Sequence, residues 1–244
     1  EVTEGKARVI LDGGTVIRVL GVKMAEEGPG EAVILFSHCH WDHIQGLPFF
    51  IPFFKNGWRF RIIAPPLLST RIKKILGKQM ESAVFPVDFA ALMRDITFEE
   101  MPHAGVRYGT LRINAFPLAH PGGSAGYRIT SGRQTMIYAT DNEFDPGHDP
   151  KGFSQFVKLL VGADLYIADG QYFGHEYADR RGWGHSTVEA TVAAAKHARV
   201  KRLAITHHDP MHADSVLTRH EHSVRKNTHE LDVFFAREGL AVDV

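Results

Sequence analysis

Ala32-Val33-Ile34-Leu35-Phe36 is apolar throughout, and His38-Cys39-His40-Trp41-Asp42-His43 follows at once with three imidazoles and a carboxylate in six residues. An unbroken apolar run of this length fits a strand buried on both faces, as in the parallel sheet of an α/β fold. Gly46 and Pro48 come next, so the histidines fall on a loop that leaves a strand and enters a helix. Loops at strand ends are where α/β folds place their chemistry. One short stretch therefore predicts a fold class and a metal site together.

The pattern recurs along the chain. His120 ends the run Leu111 to Ala119, Asp141 ends Met136 to Thr140, and His207 ends Leu203 to Thr206. Alternate residues on extended backbone share a face, so His38 and His40 can approach one metal from the same side. Asp42 and His43 lie on the turn beyond and can reach a second position a few ångströms away. His208 competes with His207 and reads as a supporting or surface residue. Cys39, between two residues that are used, is expected to face away and pack.

The 244 residues carry 28 basic and 28 acidic side chains, so net charge gives no reason to expect strong nucleic-acid binding. The single cysteine excludes an intrachain disulfide framework and a thiolate-rich zinc knuckle, and makes the cytoplasm the expected compartment. No apolar run approaches membrane-spanning length. With no repeat, low-complexity tract or linker, residues 1–244 read as one domain. A β-rich middle between αβ ends suggests two sheets covered outside by helices. The spacing predicts only one short strand before Asp12. It also predicts a last helix over Asp214 to Leu231 and a final strand near Leu240 to Val242.

His38-Cys39-His40-Trp41-Asp42-His43 resembles the His-x-His-x-Asp-His signature of the metallo-β-lactamase superfamily of hydrolases. Asp12-Gly13-Gly14 is similar to that family's earlier Asp-x-Gly turn, and His120, Asp141 and His207 match its later ligand positions in order. The resemblance implies a four-layer αβ/βα sandwich with a two-metal site and, because the family begins with a further strand ahead of the Asp-x-Gly turn, that a first strand is missing. It assigns His38, His40 and His120 to one divalent ion, Asp42, His43 and His207 to the other, and Asp141 to bridge them. Asp42 thereby counts as a catalytic residue as well as a ligand. Donors of nitrogen and oxygen alone suit zinc, with manganese or iron as alternatives.

Within the family, an aspartate at 141, where β-lactam hydrolases commonly use a cysteine, disfavours antibiotic hydrolysis. Gly184-His185-Ser186-Thr187-Val188-Glu189 is similar to the phosphodiesterase branch containing ribonuclease Z, in which the histidine matching His185 assists catalysis. Ribonuclease Z carries a long tRNA-gripping arm between the third histidine and the bridging aspartate. Here only twenty residues separate His120 from Asp141, and without the arm the resemblance implies a small phosphodiester, cyclic ones included, as substrate; dimers are common in the branch, so the resemblance also implies a homodimer. Two cations would activate a shared hydroxide for in-line attack, with His185 meeting the leaving alkoxide. Ester or lactone hydrolysis by the same metals, or a metal-stabilised binding domain, are the competing readings.

Several residues have two readings. Asp169 is expected to support a histidine, Asp12 to organise the loop beneath the metals, and Glu189 to form a capping box with Ser186. The aromatic residues Tyr172, Phe173, Tyr177 and Trp183 would either stack on a base or close the core. His103, His148, His175, His212 and Arg128 are candidates for lining a phosphate pocket.

Overall fold

The computed structural model describes residues 1–87 and 89–244, and the chain forms two compact units, residues 1–115 and 116–244. Each is a sheet flanked by helices, built on its own apolar core.

The first unit contains β1 (Val2–Glu4), β2 (Ala7–Leu11), α1 (Ile17–Glu27), β3 (Glu31–Leu35), the short α2 (Trp41–Ile44), β4 (Arg59–Ala64), α3 (Pro66–Gln79), α4 (Phe89–Leu92), β5 (Ile96–Glu100) and β6 (Val106–Tyr108). Its sheet runs β1-β2-β3-β4-β5. From β2 to β5 the neighbours are parallel, whereas β1 joins β2 as an antiparallel hairpin. Two short strands thus precede Asp12 where the sequence spacing predicts one. Gly5 makes this possible: its left-handed φ of 57° turns the chain within two residues, so that Glu4 faces Ala7. Every residue from Ala32 to Leu35 is buried, as the unbroken apolar run requires. The apolar stretch after His43 folds into two 3-10 turns that bury Leu47 and Phe50 but leave Phe49 and Phe54 exposed.

β7 (Leu111–Leu118) forms a hairpin with β6, Val106 facing Ile113, and runs into the second unit. There follow β8 (Ser124–Ser131), β9 (Gln134–Ala139), α5 (Pro150–Leu160), β10 (Leu165–Asp169), α6 (Val188–Ala198), β11 (Arg202–Thr206), α7 (Asp214–Lys226) and β12 (Asp232–Phe235). Strands β9 to β12 are parallel neighbours, and β8 pairs antiparallel with β9. On α5, Phe153, Phe156 and Leu160 recur at helical spacing and enter the core, while the Asp149 side chain caps its start. α6 begins on Thr187, whose hydroxyl accepts from the Ala190 N–H at 3.1 Å.

The end of the chain departs from expectation. The last helix stops at Lys226, and the final strand is Asp232–Phe235, not Leu240 to Val242. Val233 and Phe235 are buried at alternate positions, the two-residue period of a strand, and Ile205 faces Phe235 in the ladder. No helix among the described residues is long and apolar enough to cross a membrane.

Candidate metal centre

In the first unit, Asp12 follows β2 with φ 61°, and its N–H donates to the Leu35 carbonyl at 2.8 Å. Its buried carboxylate accepts from the Ser37 N–H (2.7 Å), the Ser37 hydroxyl (2.8 Å) and His43 Nδ1 (3.0 Å). Because the Ser37 proton is committed to Asp12, its oxygen accepts from His38 Nδ1 at 3.0 Å. Both imidazoles therefore carry their proton on Nδ1, which leaves the Nε2 lone pair for a metal. Gly13 and Gly46 tie the turn to the short helix, by Gly13 N–H to the His43 carbonyl (2.7 Å) and Gly46 N–H to the Gly13 carbonyl (2.9 Å). A Cβ on Gly14 would strike the Asp42 carbonyl.

The His38 ring lies against those of His40 and His43, at centroid distances of 4.4 and 4.3 Å. Asp42 Oδ2 is 3.2 Å from His43 Nε2. Two donors each about 2.1 Å from one cation at the tetrahedral angle lie about 3.4 Å apart, so this pair has the spacing of two ligands to one ion. His38 and His43 are buried, His40 and Asp42 exposed. Cys39 packs on the apolar core, and burial, with the Asp12 charge nearby, pushes its thiol up to about 12. A protonated, packed thiol is not a ligand.

In the second unit the register of the parallel strands builds the site. Ala139 of β9 faces Ala168 of β10, and Asp169 faces Thr206 of β11. Asp141, Asp169 and His207 are thus released along one edge. Asp141 and His207 turn off their strands with φ of 55° and 58°. Asp141 Oδ1 lies 3.8 Å from His120 Nε2 and 3.4 Å from His207 Nε2, a carboxylate oxygen flanked by two imidazoles. His120 Nδ1 donates to the Gly184 carbonyl at 2.8 Å, which again directs a bare Nε2 inward. Gly184 has φ 93°, and a Cβ there would collide with the His120 ring.

His185 stands beside this set, its ring parallel to that of His207 at 4.9 Å and its Nδ1 4.0 Å from Asp141 Oδ1. Nδ1 donates to Asp169 Oδ2 at 2.8 Å. Asp169, buried at the end of β10, also accepts from the N–H groups of Asp141 (3.0 Å), Gln171 (3.2 Å) and Ser186 (2.9 Å). The carboxylate thus fixes His185 and the backbone of Asp141 together. His120, Asp141 and His185 bring three donor atoms within 4.8 Å of one another, as do Asp169, His185 and His207. The Asp169 bond fixes the His185 Nδ1 proton and so leaves Nε2 as the nitrogen available to a proton or a metal.

His208 stacks on Phe235 at 4.8 Å, and burial lowers its imidazole to about 4; it stays neutral and packs. Arg128 does not line a phosphate pocket: its guanidinium caps the end of α5 through the Leu159 and Val161 carbonyls, both at 3.0 Å. Glu189 does not close a capping box, because the cap is Thr187 and the residue three on is Ala190. His212 bonds Glu176 at 2.8 Å and stacks on Phe173. Tyr172 and Phe173 are core residues, whereas Trp183 is exposed under the Arg180 guanidinium.

Sequence reading singled out neither Ser37 nor Glu143. Their positions beside His38 and two residues after Asp141 were the available signal. The donor set of imidazoles and carboxylates, with Nδ1 protons taken up by Ser37, Asp12 and Gly184, fits divalent cations. Asp12→Ala removes the acceptor beneath His43 and Ser37. It is expected to weaken divalent-metal binding about 10- to 100-fold, read with zinc as the probe in competition with a chelator. Unchanged affinity would make Asp12 a loop residue only.

A family model described as "Beta-lactamase superfamily domain" matches residues 8–208. A ribonuclease Z of Enterococcus faecalis is 24% identical over 220 residues, covering 71% of this chain and 68% of that protein. Among solved structures, one described as a new diphosphatase from the PhnP family superposes with a TM-score of 0.67 at 18% identity, covering 97% of this chain and 79% of the other. The short form of human tRNase Z gives 0.64 at 18% identity, covering 99% and 90%.

Proposed function

We propose that this chain, which belongs to the metallo-β-lactamase superfamily of hydrolases, is a dinuclear metal-dependent phosphodiesterase acting on a small phosphodiester, cyclic ones included. The observation that carries the reading is Asp141, set between His120 and His207 at ligand spacing with the Asp169-held His185 alongside. In this reading His38, His40 and His120 hold one ion, Asp42, His43 and His207 the other, and Asp141 serves both. Zinc fits the donors best. When bound, the two cations supply Lewis acidity and ionise a water for attack on phosphorus.

The chain's own residues supply the rest. Asp169 keeps the His185 ring in one tautomer and one orientation, so that the opposite nitrogen, once protonated, can deliver a proton to the departing alkoxide. Ser37, Asp12 and the Gly184 carbonyl hold their imidazoles with Nε2 directed to the ions. A small substrate is favoured over tRNA because the residues between His120 and Asp141 are the plain hairpin of β8 and β9. No arm is inserted there.

The test is a substrate panel assayed with and without added zinc or manganese: bis-para-nitrophenyl phosphate, cyclic nucleotides and a lactone. Metal-dependent hydrolysis of the phosphodiesters is the expected result. Activity on the lactone alone would sink the assignment, and none at all with metal bound would favour a binding domain.

A further inference from the structure

Gly182 and Trp183 lie exposed on the approach to His185, and Gly182 and Gly184 take left-handed φ values of 87° and 93°. Such a segment is freely deformable on its own. Yet its Gly184 carbonyl holds the His120 ring, and its next residue is His185. Glu143 supplies the restraint. Its Oε1 accepts from the Gly182 N–H and the Tyr177 hydroxyl, both at 2.7 Å, and its Oε2 accepts from the Gly184 N–H at 2.7 Å. The Glu143 N–H donates in turn to the Ala119 carbonyl at 2.7 Å, one residue before His120.

These bonds close a ring. It runs from His120 Nδ1 to the Gly184 carbonyl, from the Gly184 N–H to Glu143, from the Glu143 N–H to Ala119, and along the chain back to His120. On the far side, Asp169 takes the Ser186 N–H and His185 Nδ1. His185 is therefore pinned between two carboxylates, one acting on the residue before it and one on the residue after.

We propose that Glu143 is a positioning residue that sets His120 and His185 together through the backbone of Gly182 and Gly184. The proposal rests on the ligand role of His120 and the proton-donor role of His185 given above. Three donors converge on the Glu143 side chain, which calls for an acceptor-only group. A glutamine of the same shape must turn its NH2 toward at least one of them.

The experiment compares the zinc-loaded full chain with Glu143→Ala, Glu143→Gln, His185→Ala and the Glu143→Ala/His185→Ala double variant. Glu143→Ala is expected to lower kcat about 10- to 100-fold with little change in KM, and to weaken zinc binding in chelator competition by a similar factor. Added to His185→Ala, it should lower kcat by less than about threefold more, because the two act in one chain. Glu143→Gln keeps the packing and should shift both readouts in the same direction, less strongly, which covers a Glu143→Ala protein that fails to fold.

Nitrogen NMR of the zinc-loaded rings gives a readout independent of turnover: the Nδ1–H signals of His120 and His185 should shift or broaden in Glu143→Gln. Unchanged ring signals and zinc affinity, or kcat losses that simply multiply in the double variant, would overturn the proposal. Should the wild type hydrolyse no phosphodiester, the functional reading fails while the ring signals and zinc affinity still judge Glu143.

Discussion

Hydrolysis of a phosphodiester with an alkyl leaving group is expected to fall about 100- to 10,000-fold in His185→Ala, with metal content unchanged. The reason is the geometry of the ring. Its Nδ1 proton is taken by Asp169 at 2.8 Å, so the group cannot swing away, and the opposite nitrogen is the one free to serve a departing oxygen. A para-nitrophenolate leaves without needing a proton, so bis-para-nitrophenyl phosphate should show a much smaller loss. Equal losses for both leaving groups would show that His185 orients the substrate but donates no proton. Loss of metal would make it a ligand.

Asp141→Ala should be more damaging still. Its carboxylate is 1% exposed and lies within 3.8 Å of His120 Nε2 and 3.4 Å of His207 Nε2. It supplies negative charge among the imidazoles, which two cations side by side would require. We expect less metal per chain by elemental analysis and a fall in turnover of at least about 1,000-fold, several kcal/mol of transition-state stabilisation. Asp141→Asn, which keeps the shape but not the charge, should behave like the alanine variant. Turnover near the wild-type level in either would take Asp141 out of the site.

Much of this arrangement was legible in the residues, for a physical reason. Parallel strands buried on both faces read as apolar runs, and their ends coincide with the appearance of polar, chemistry-bearing groups. Ala32 to Phe36, Met136 to Thr140 and Leu203 to Thr206 all announce their loops in this way. The chain terminus departs from the sequence reading because Asp232–Phe235 is a short strand only five residues after a helix, and four residues carry too little periodicity to separate from the helical pattern before them. Ser37 and Glu143 were invisible for another reason. Their roles consist of bonds to groups far along the chain, Ser37 to Asp12 and Glu143 to Gly182 and Gly184, and no local pattern encodes them. Arg128 shows the converse, a cation that sequence alone offers to a phosphate but that the fold spends on helix carbonyls.

Asp12, Asp141 and His207 share a left-handed backbone, at φ of 61°, 55° and 58°. For a side chain with a Cβ this conformation costs about 1–2 kcal/mol at each position, and glycine would relieve it. Backbone ease and chemistry are therefore opposed at 141 and 207, whereas Asp12 also anchors Ser37 and His43 by bonds that glycine would forfeit. A population of variants selected only for survival at high temperature would drift toward glycine at 141 and 207. It would shed its metal-binding capacity first at the places where the fold gains most, and such an erosion would leave both sheets and both cores intact.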